Sequence, residues 1–277
     1  MNETPRFVAS RDGTPIAVFS SGEGPPLVLV HGATADHTTW RRSGPVFEEH
    51  YRVHAIDRRG RGDSGDGVGP YAIEREYEDL AAVADALADD AGEPVNVVGH
   101  SYGGRAGLGA AMLTGSIGRL VVYEGAPAPA AGEGFSSPEL KRSIAELIEA
   151  GDRDGALVLF FREIAGMSDE ELQLYRQDPV WPRRAAAVHT SLRELEAEEA
   201  SPGAALVALG RVPIPVLQIL GGDSLPIFHE STHALDARLR NGRVVVIDGA
   251  RHAAHHTHAD EFVGAIRAFL EDPNLTD

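Results

Sequence analysis

Short apolar runs alternate with helical patterns along the first 126 residues of the chain. The segments Arg6–Ala9 and Ile16–Phe19 flank Asp12-Gly13, a dipeptide typical of tight turns, and predict a pair of strands. Leu27–Val30 is apolar at every position, as expected of a strand that is covered on both faces. The same reading predicts further strands over residues 51–56, 95–98 and 120–123, and helices over residues 72–90 and from 101 to about 114.

The pattern changes between residues 127 and 210. A linker rich in Pro, Gly and Ala occupies residues 127–135, and helix patterns then follow one another without a strand-like run. Ser137 before Pro138, and Ser168 before three acidic residues, are typical starts of helices. Strands resume over residues 214–220 and 244–247, with helices at about 226–240 and 259–271.

This order of elements predicts an α/β fold with a doubly wound, mostly parallel sheet. Residues 1–126 and 211–277 would form the core, and residues 127–210 would form an inserted helical cap.

Composition narrows the class of protein. The 277 residues include 25 basic and 42 acidic side chains, a formal net charge of −17, and no cysteine. The missing cysteines exclude disulfides, thiol catalysis and cysteine-ligated zinc, and the acidic balance argues against nucleic acid as a partner. Apolar runs such as Val212–Leu220 are too short for a membrane span, and the first residues lack a signal pattern, so we expect a cytoplasmic protein without a membrane partner.

A candidate nucleophile follows the predicted strand at residues 95–98. Ser101 lies between Gly99 and Gly103, and the predicted helix begins directly after it. A serine on a sharp strand-to-helix turn leaves no room for side chains two positions away, and the helix N-terminus directs N–H groups at developing negative charge. The alternative is a glycine-rich helix start that packs closely on the sheet.

An oxyanion hole needs a second N–H donor from a loop after an earlier strand. Leu27–Val30 is followed by His31-Gly32-Ala33, so the backbone N–H groups of Ala33 and Tyr102 are predicted to converge on one oxygen. His31 could be a catalytic base, but we favour a hydrogen-bonded residue that shapes the turn and borders the substrate pocket.

The base and the acid are predicted after later strands. His252 follows the last strand, where its imidazole could reach Ser101. Asp223, after the strand at 214–220, is favoured as the acid over Glu124, after the strand at 120–123. The run HAAHHTH that starts at His252 could instead bind a metal, but we favour solvated histidines and predict no metal.

Together these segments resemble the α/β-hydrolase superfamily, and most closely its serine esterase and cofactor-free haloperoxidase-like branch. The resemblance covers the chain outside the cap, and it implies Ser101 as nucleophile, His252 as base and Asp223 as acid, with the backbone of Ala33 and Tyr102 as oxyanion hole. Arg251 stands where the family usually has glycine before the histidine, which places a cation near the site. The resemblance rests on five segments, His31-Gly32, Asp57–Ser64, Gly99–Gly104, Gly222-Asp223 and Gly249–His252.

The sequence therefore predicts a serine hydrolase that cleaves a small-to-medium ester or lactone through an acyl-enzyme, without a cofactor. Cap residues such as Phe160 and Trp181 would line an apolar pocket for this small molecule. The alternatives are other reactions of the same fold, namely C–C bond hydrolysis, amide hydrolysis and perhydrolase or haloperoxidase-like chemistry, or a non-catalytic ligand-binding protein.

Overall fold

The structure is a computed structural model, and it describes residues 4–129 and 134–275. Part of the linker predicted at 127–135 therefore lies outside the described residues. Over the described residues the chain forms eight strands: β1 (Arg6–Ala9), β2 (Pro15–Ser21), β3 (Pro26–Val30), β4 (Arg52–Ile56), β5 (Val95–His100), β6 (Ile117–Tyr123), β7 (Val216–Gly221) and β8 (Gly242–Ile247).

All eight strands belong to one sheet with the order β1-β2-β4-β3-β5-β6-β7-β8. β1 and β2 form the antiparallel hairpin predicted around Gly13, and β2 also pairs antiparallel with β4. From β4 to β8 every neighbouring pair is parallel, so these strands end at the same edge of the sheet. In such sheets ligands bind beyond the carboxyl ends of the strands, which makes this edge the place to look for a site.

Helices lie on both faces of the sheet, as the alternation of elements predicted. Twelve α-helices occur in the described residues: α1 (Gly44–Glu48), α2 (Ile73–Ala91), α3 (Tyr102–Ala110), α4 (Pro138–Glu149), α5 (Arg153–Glu163), α6 (Asp169–Tyr175), α7 (Trp181–Ala187), α8 (His189–Ala200), α9 (Leu206–Leu209), α10 (Pro226–Asp236), α11 (Ala254–Thr257) and α12 (Ala259–Leu270). None of the helices in the described part of the chain combines the length and the apolar composition that a membrane crossing requires.

The central strands bury side chains on both faces. Every residue of β3 is buried, and its alternate positions join two separate apolar clusters. Val28 and Val30 pack in the cluster that includes side chains of α2 and α3, whereas Leu27 and Leu29 pack in the cluster of α1 and α12. This alternation follows from the period of two in a strand, and it holds the carboxyl ends of the strands on a rigid base.

The helices α4 to α9, called the helical block below (residues 138–209), lie between β6 and β7 in the chain. The block has an apolar cluster of its own, in which Phe160, Phe161 and Trp181 are buried. Ser168 and Glu171 form a capping box at the start of α6, as the sequence there indicates. Side chains of the block, together with Ala33, face the carboxyl edge of the sheet.

Candidate active site

The backbone of Ser101 is held in an uncommon conformation between β5 and α3. Its φ and ψ angles are 53° and −124°, and its N–H donates to the Tyr123 carbonyl at 2.7 Å. The flanking glycines are required by space, because a Cβ on Gly99 would lie 2.5 Å from the Gly103 carbonyl oxygen, and one on Gly103 would lie 2.4 Å from the His31 carbonyl oxygen. This is the geometry of a nucleophile elbow.

The loop after β3 approaches Ser101 closely. A Cβ on Gly32 would lie 3.0 Å from the Ser101 Cβ, and the next residue, Ala33, lines the same cavity as Ser101 and Tyr102. Tyr102 is the first residue of α3, so its N–H has no acceptor in a preceding helical turn. These positions suit the oxyanion hole predicted at Ala33 and Tyr102, which stays a prediction.

His31 lies beneath this loop and not in the cavity. It is fully buried, its Nε2 accepts the backbone N–H of Arg58 at 3.0 Å, and its Nδ1 bonds to the Gly32 carbonyl at 2.8 Å. Burial, reinforced by the charge of Arg58, lowers its pKa to about 3, so the ring is neutral. The predicted role in shaping the turn fits this geometry, whereas its placement in the substrate pocket is wrong.

The structure pairs His252 with Glu124 and not with Asp223, the carboxylate favoured from the sequence. The Nδ1 atom of His252 bonds to the Oε2 atom of Glu124 at 2.5 Å, and no described hydrogen bond joins His252 to the predicted partner Asp223. Glu124 directly follows β6 with φ at 46°, a turn that directs its side chain toward the loop after β8. Asp223 lies two residues beyond the end of β7, and its backbone N–H donates to the Ala250 carbonyl.

Further hydrogen bonds fix the Glu124 carboxylate. Its Oε1 atom accepts the N–H of Gly221 at 2.7 Å and the hydroxyl of Ser224 at 2.5 Å, and the residue is buried. Both oxygens therefore have donors, and the group is oriented before any substrate binds. Because Nδ1 of His252 is occupied by Glu124, its Nε2 is the ring nitrogen available for proton transfer.

The imidazole of His252 is positioned by ring contacts as well. The Phe228 ring from α10 stacks on it with a centroid distance of 4.4 Å, and the His100 ring lies at 4.7 Å. His100 Nε2 bonds to the His252 carbonyl at 2.8 Å, and burial keeps the pKa of His100 well below its usual range. In the described residues Ser101 forms no hydrogen bond with His252, a contact that often tightens only when substrate binds.

Ser101, His252 and Glu124 line a single small cavity of about 60 Å³. Its remaining wall is mostly apolar and includes Phe160, one of the residues predicted to line the substrate pocket. Trp181 does not, because its ring packs inside the helical block and its Nε1–H donates to Asp154 at 2.7 Å. The prediction that Trp181 lines the pocket is therefore wrong.

A second cavity of about 390 Å³ adjoins the first. The two share wall residues, among them Phe161, Arg184 and His252. Arg184 was not singled out in the sequence, where it is one of two adjacent arginines in a helix pattern. Arg251, predicted near the site, lines the larger cavity and donates to the Gly166 carbonyl at 3.1 Å.

The histidine-rich segment, residues 252–258, is partly buried, and its histidines are not arranged as a metal site. His255 and His256 lie with ring centroids 4.2 Å apart, and burial lowers the pKa of His255 well below its usual range and that of His256 to about 2. The expectation that these histidines are solvated is wrong for His255, which is buried, whereas His256 is half-buried. Among the described residues, the group close enough to share a cation is Asp36, His37 and Asp57.

Protein donors already satisfy that carboxylate group. The Oδ1 atom of Asp57 forms hydrogen bonds with the backbone N–H and the ring Nδ1 of His37, at 2.7 and 2.9 Å. The Oδ2 atom of Asp36 accepts a hydrogen bond from Arg183 at 2.6 Å. An arginine on one ligand and N–H donors on another oppose a bound cation, so this cluster acts as part of the loop structure.

Known proteins resemble this chain in sequence and in fold. Residues 27–265 match the model of the Alpha/beta hydrolase family. A solved structure of an alpha/beta hydrolase from Sphaerobacter thermophilus is 32% identical, with a TM-score of 0.78 over 96% of this chain and 100% of that one.

Curated relatives differ in their named reactions. The 2-hydroxy-6-oxo-6-(2'-aminophenyl)hexa-2,4-dienoic acid hydrolase of Metapseudomonas resinovorans is 26% identical over 96% of this chain and 90% of its own length. The pimeloyl-[acyl-carrier protein] methyl ester esterase of Aeromonas hydrophila is 28% identical over 92% of this chain and 99% of its own. The probable oxidoreductase EphD of Mycobacterium tuberculosis is 37% identical over 102 residues, 35% of this chain, and the match spans 17% of that relative's length.

Proposed function

Since this chain belongs to the alpha/beta hydrolase family, we propose that it is a serine hydrolase that cleaves a short-chain ester or lactone through an acyl-enzyme. The observation that carries the proposal is the hydrogen bond between His252 and Glu124 beside a serine in the elbow conformation. A positioned base with an orienting carboxylate is what activates a serine hydroxyl, which is a weak nucleophile by itself.

The reaction proceeds in two halves. His252 Nε2 takes the proton as the Ser101 oxygen attacks the substrate carbonyl, and the N–H groups of Ala33 and Tyr102 receive the developing negative charge. His252 then gives the proton to the leaving alcohol as the C–O bond breaks, which leaves the acyl group on Ser101. Water, deprotonated by the same histidine, releases the acid and restores the serine.

The size and lining of the cavity support a short acyl group. About 60 Å³ is available next to Ser101, and the wall toward the helical block is formed by side chains such as Phe160, Phe161 and Ile164. We propose that the block, residues 138–209, acts as the cap that closes over this group and excludes water.

The test compares three forms of the purified chain on p-nitrophenyl esters of increasing acyl length. We expect turnover of the acetate and butyrate to exceed that of the octanoate, and Ser101→Ala to abolish it. Ser116→Ala serves as a matched control, because Ser116 precedes β6 at the opposite edge of the sheet. Turnover that persists in Ser101→Ala would refute the proposal.

A fluorophosphonate probe separates a hydrolase from a ligand-binding member of the fold. An active Ser101 becomes covalently labelled, and the label is located by peptide mass spectrometry. A protein that binds ligands without catalysis leaves the probe unreacted, and this result would also contradict the proposal.

The second candidate function is hydrolysis of a C–C bond next to a ketone. It is favoured by the similarity to the dienoic acid hydrolase of Metapseudomonas resinovorans along nearly the whole of both chains. A 2-hydroxy-6-oxo-dienoate has a strong visible absorbance, so its cleavage is followed directly. A kcat/KM on this compound that exceeds the values on all esters would favour the second candidate.

A further inference from the structure

Arg184 on α7 is a buried cation that has uncharged partners. The residue is 7% exposed, and its guanidinium donates to the Thr39 hydroxyl at 2.8 Å, the Thr34 hydroxyl at 3.2 Å and the Ala33 carbonyl at 3.4 Å. No carboxylate of the described residues pairs with it. A guanidinium has five N–H groups, so the three bonds leave donors for a further acceptor.

Three other buried arginines of this chain have carboxylate partners. Arg58, Arg59 and Arg61 are as deeply buried, and each pairs with at least one carboxylate. Burial of a charge without a counter-ion is costly, and proteins normally avoid it by pairing the charge. The absence of such a partner at Arg184 therefore marks a position where negative charge is missing.

The missing charge belongs at the boundary of the two cavities. Arg184 lines both the small cavity, with Ser101, and the adjoining larger one. The aromatic rings of Phe161 and Tyr175 flank its guanidinium, each with a centroid 5.5 Å from Cζ, and hold its plane in place. An anion in the larger cavity would contact this cation, and the walls of the two cavities share Arg184 and His252.

The larger cavity is positive although the chain is strongly acidic. Its two carboxylates are already engaged, Asp178 with Arg41 and Glu171 with the backbone N–H of Ser168 at the start of α6. His255 and His256 add no charge to it at neutral pH, because burial lowers the pKa of both. Four arginines line this cavity, Arg41, Arg42, Arg184 and Arg251.

We propose that the larger cavity binds a carboxylate carried by the substrate, with Arg184 as the anchoring cation. The inference rests on the proposed function and names its substrate class: esters or lactones with a free carboxylate on the part of the molecule that lies away from the scissile bond. A carboxylate matches the planar donor set of a guanidinium, which makes it the anion of choice for this site.

A purely structural role for Arg184 predicts a different behaviour. In that case the arginine joins the helical block to the loop of Ala33 and Thr34, and its loss would slow all substrates to the same extent. Anchoring of a carboxylate instead predicts a loss that depends on substrate charge and is found mainly in KM.

Two methyl esters of equal chain length distinguish these roles, with release of methanol as the readout. Monomethyl adipate has a carboxylate where methyl hexanoate has a methyl group. At low ionic strength we expect kcat/KM for monomethyl adipate to be about tenfold higher or more, as for a charge-assisted hydrogen bond. Arg184→Gln should remove this preference, so that kcat/KM falls about tenfold more for monomethyl adipate than for methyl hexanoate, and Arg184→Lys should retain part of the preference.

The control variant is Arg162→Gln, which removes one positive charge from the exposed surface of the same block, where Arg162 pairs with Asp169. It should leave the preference unchanged. A wild-type enzyme without preference for monomethyl adipate, or an equal loss on both esters in Arg184→Gln, would overturn the inference.

A binding measurement makes the result independent of turnover. Calorimetry with Ser101→Ala should detect monomethyl adipate, and the added Arg184→Gln should weaken its binding tenfold or more. If binding depends on Arg184 while neither ester is hydrolysed, the carboxylate site stands and the proposed hydrolase function fails. If methyl hexanoate is hydrolysed while binding of monomethyl adipate is absent or independent of Arg184, the function stands and the carboxylate site fails.

Discussion

Three residues of the candidate site have backbone conformations that side chains normally avoid. Thr34, Ser101 and Glu124 have φ angles of 60°, 53° and 46°, and in the described residues they are the non-glycine positions with positive φ. Each such residue costs of order 1–3 kcal/mol and persists where the surrounding structure holds it. The strain lies beside the proposed oxyanion hole, at the proposed nucleophile and at the carboxylate that bonds to His252. The fold therefore holds these groups in position at a cost in stability.

The identity of the acid is the sharpest prediction at this scale. Glu124→Gln keeps the size of the side chain but cannot balance an imidazolium, so we expect kcat on p-nitrophenyl butyrate to fall by about 10³- to 10⁴-fold. Asp223→Asn is the matched control and should change kcat less than about threefold, because Asp223 has no bond to His252 in the described structure. An equal loss in both variants, or a larger one in Asp223→Asn, would contradict this assignment.

The sequence was sufficient for the elbow but not for the acid. Ser101 was predicted because the spacing of the two glycines has a steric cause that can be read from residue types alone. Glu124 and Asp223 both follow strands that end at the same edge, so sequence order does not separate them. The choice depends on the left-handed turn at Glu124, which the sequence does not signal because glutamate rarely adopts it.

At the scale of elements, a buried ionic network joins the helical block to the core. Glu194 on α8 is 1% exposed, and its Oε1 accepts hydrogen bonds from Arg58 and Arg61 in the loop after β4. Arg58 also forms an ion pair with Glu76 of α2 at 2.5 Å. Among the described residues, Arg61 forms an ion pair with Glu194 alone. The side chain of Glu194 therefore fixes one end of the block above the site.

Loss of this carboxylate should destabilise the protein. Glu194→Gln leaves Arg61 buried without a counter-ion, and we expect the free energy of unfolding to fall by about 3 kcal/mol or more. Urea unfolding measures the change. Glu196→Gln on the same helix is the control, because Glu196 is exposed and should shift the free energy by less than about 0.5 kcal/mol. A similar small shift for both variants would show that the network contributes little.

Elements with a strong pattern were predicted nearly to the residue. The strand predicted at Leu27–Val30 begins one residue earlier in the structure, and the helix predicted over 72–90 is observed as Ile73–Ala91. The short helices Gly44–Glu48 and Ala254–Thr257 were missed, because one turn of helix carries no periodic pattern. The network around Glu194 has no signal in the sequence, because a run of glutamates in a helix is typical of a solvated face. Burial of one of them depends on arginines more than 130 positions away.

At the scale of the whole molecule, the negative charge and the positive cavity are separate features. The formal charge of −17 belongs to the chain as a whole, whereas the large cavity beside Ser101 is lined by four arginines and two engaged carboxylates. A local positive potential inside an acidic protein concentrates anions at the site more than the net charge would suggest. Overall acidity therefore does not oppose an anionic substrate.

Five buried or half-buried histidines make the stability of the whole molecule depend on pH. Burial lowers the pKa of His31 to about 3, that of His54 to about 4 and that of His256 to about 2, and it holds the pKa values of His100 and His255 well below their usual range. In the unfolded chain these groups have pKa values near 6.5, so below this pH the unfolded state binds more protons than the folded state. Their contribution is therefore complete above pH 6.5 and is lost as the pH falls.

We expect the free energy of unfolding to drop below pH 6.5 by up to about 1.4 kcal/mol per pH unit for each of these histidines. Urea unfolding at pH 7.5, 6.0 and 5.0 measures the slope, and His256→Gln should reduce it by about one proton. His189→Gln is the control, because His189 is exposed on α8 and should leave the slope as it is. Glu76, whose pKa Arg58 lowers to about 2 against the effect of burial, adds a further loss only below pH 4.5. A stability that is flat between pH 7.5 and 5.0 would therefore contradict the buried, neutral state of the histidines around the site.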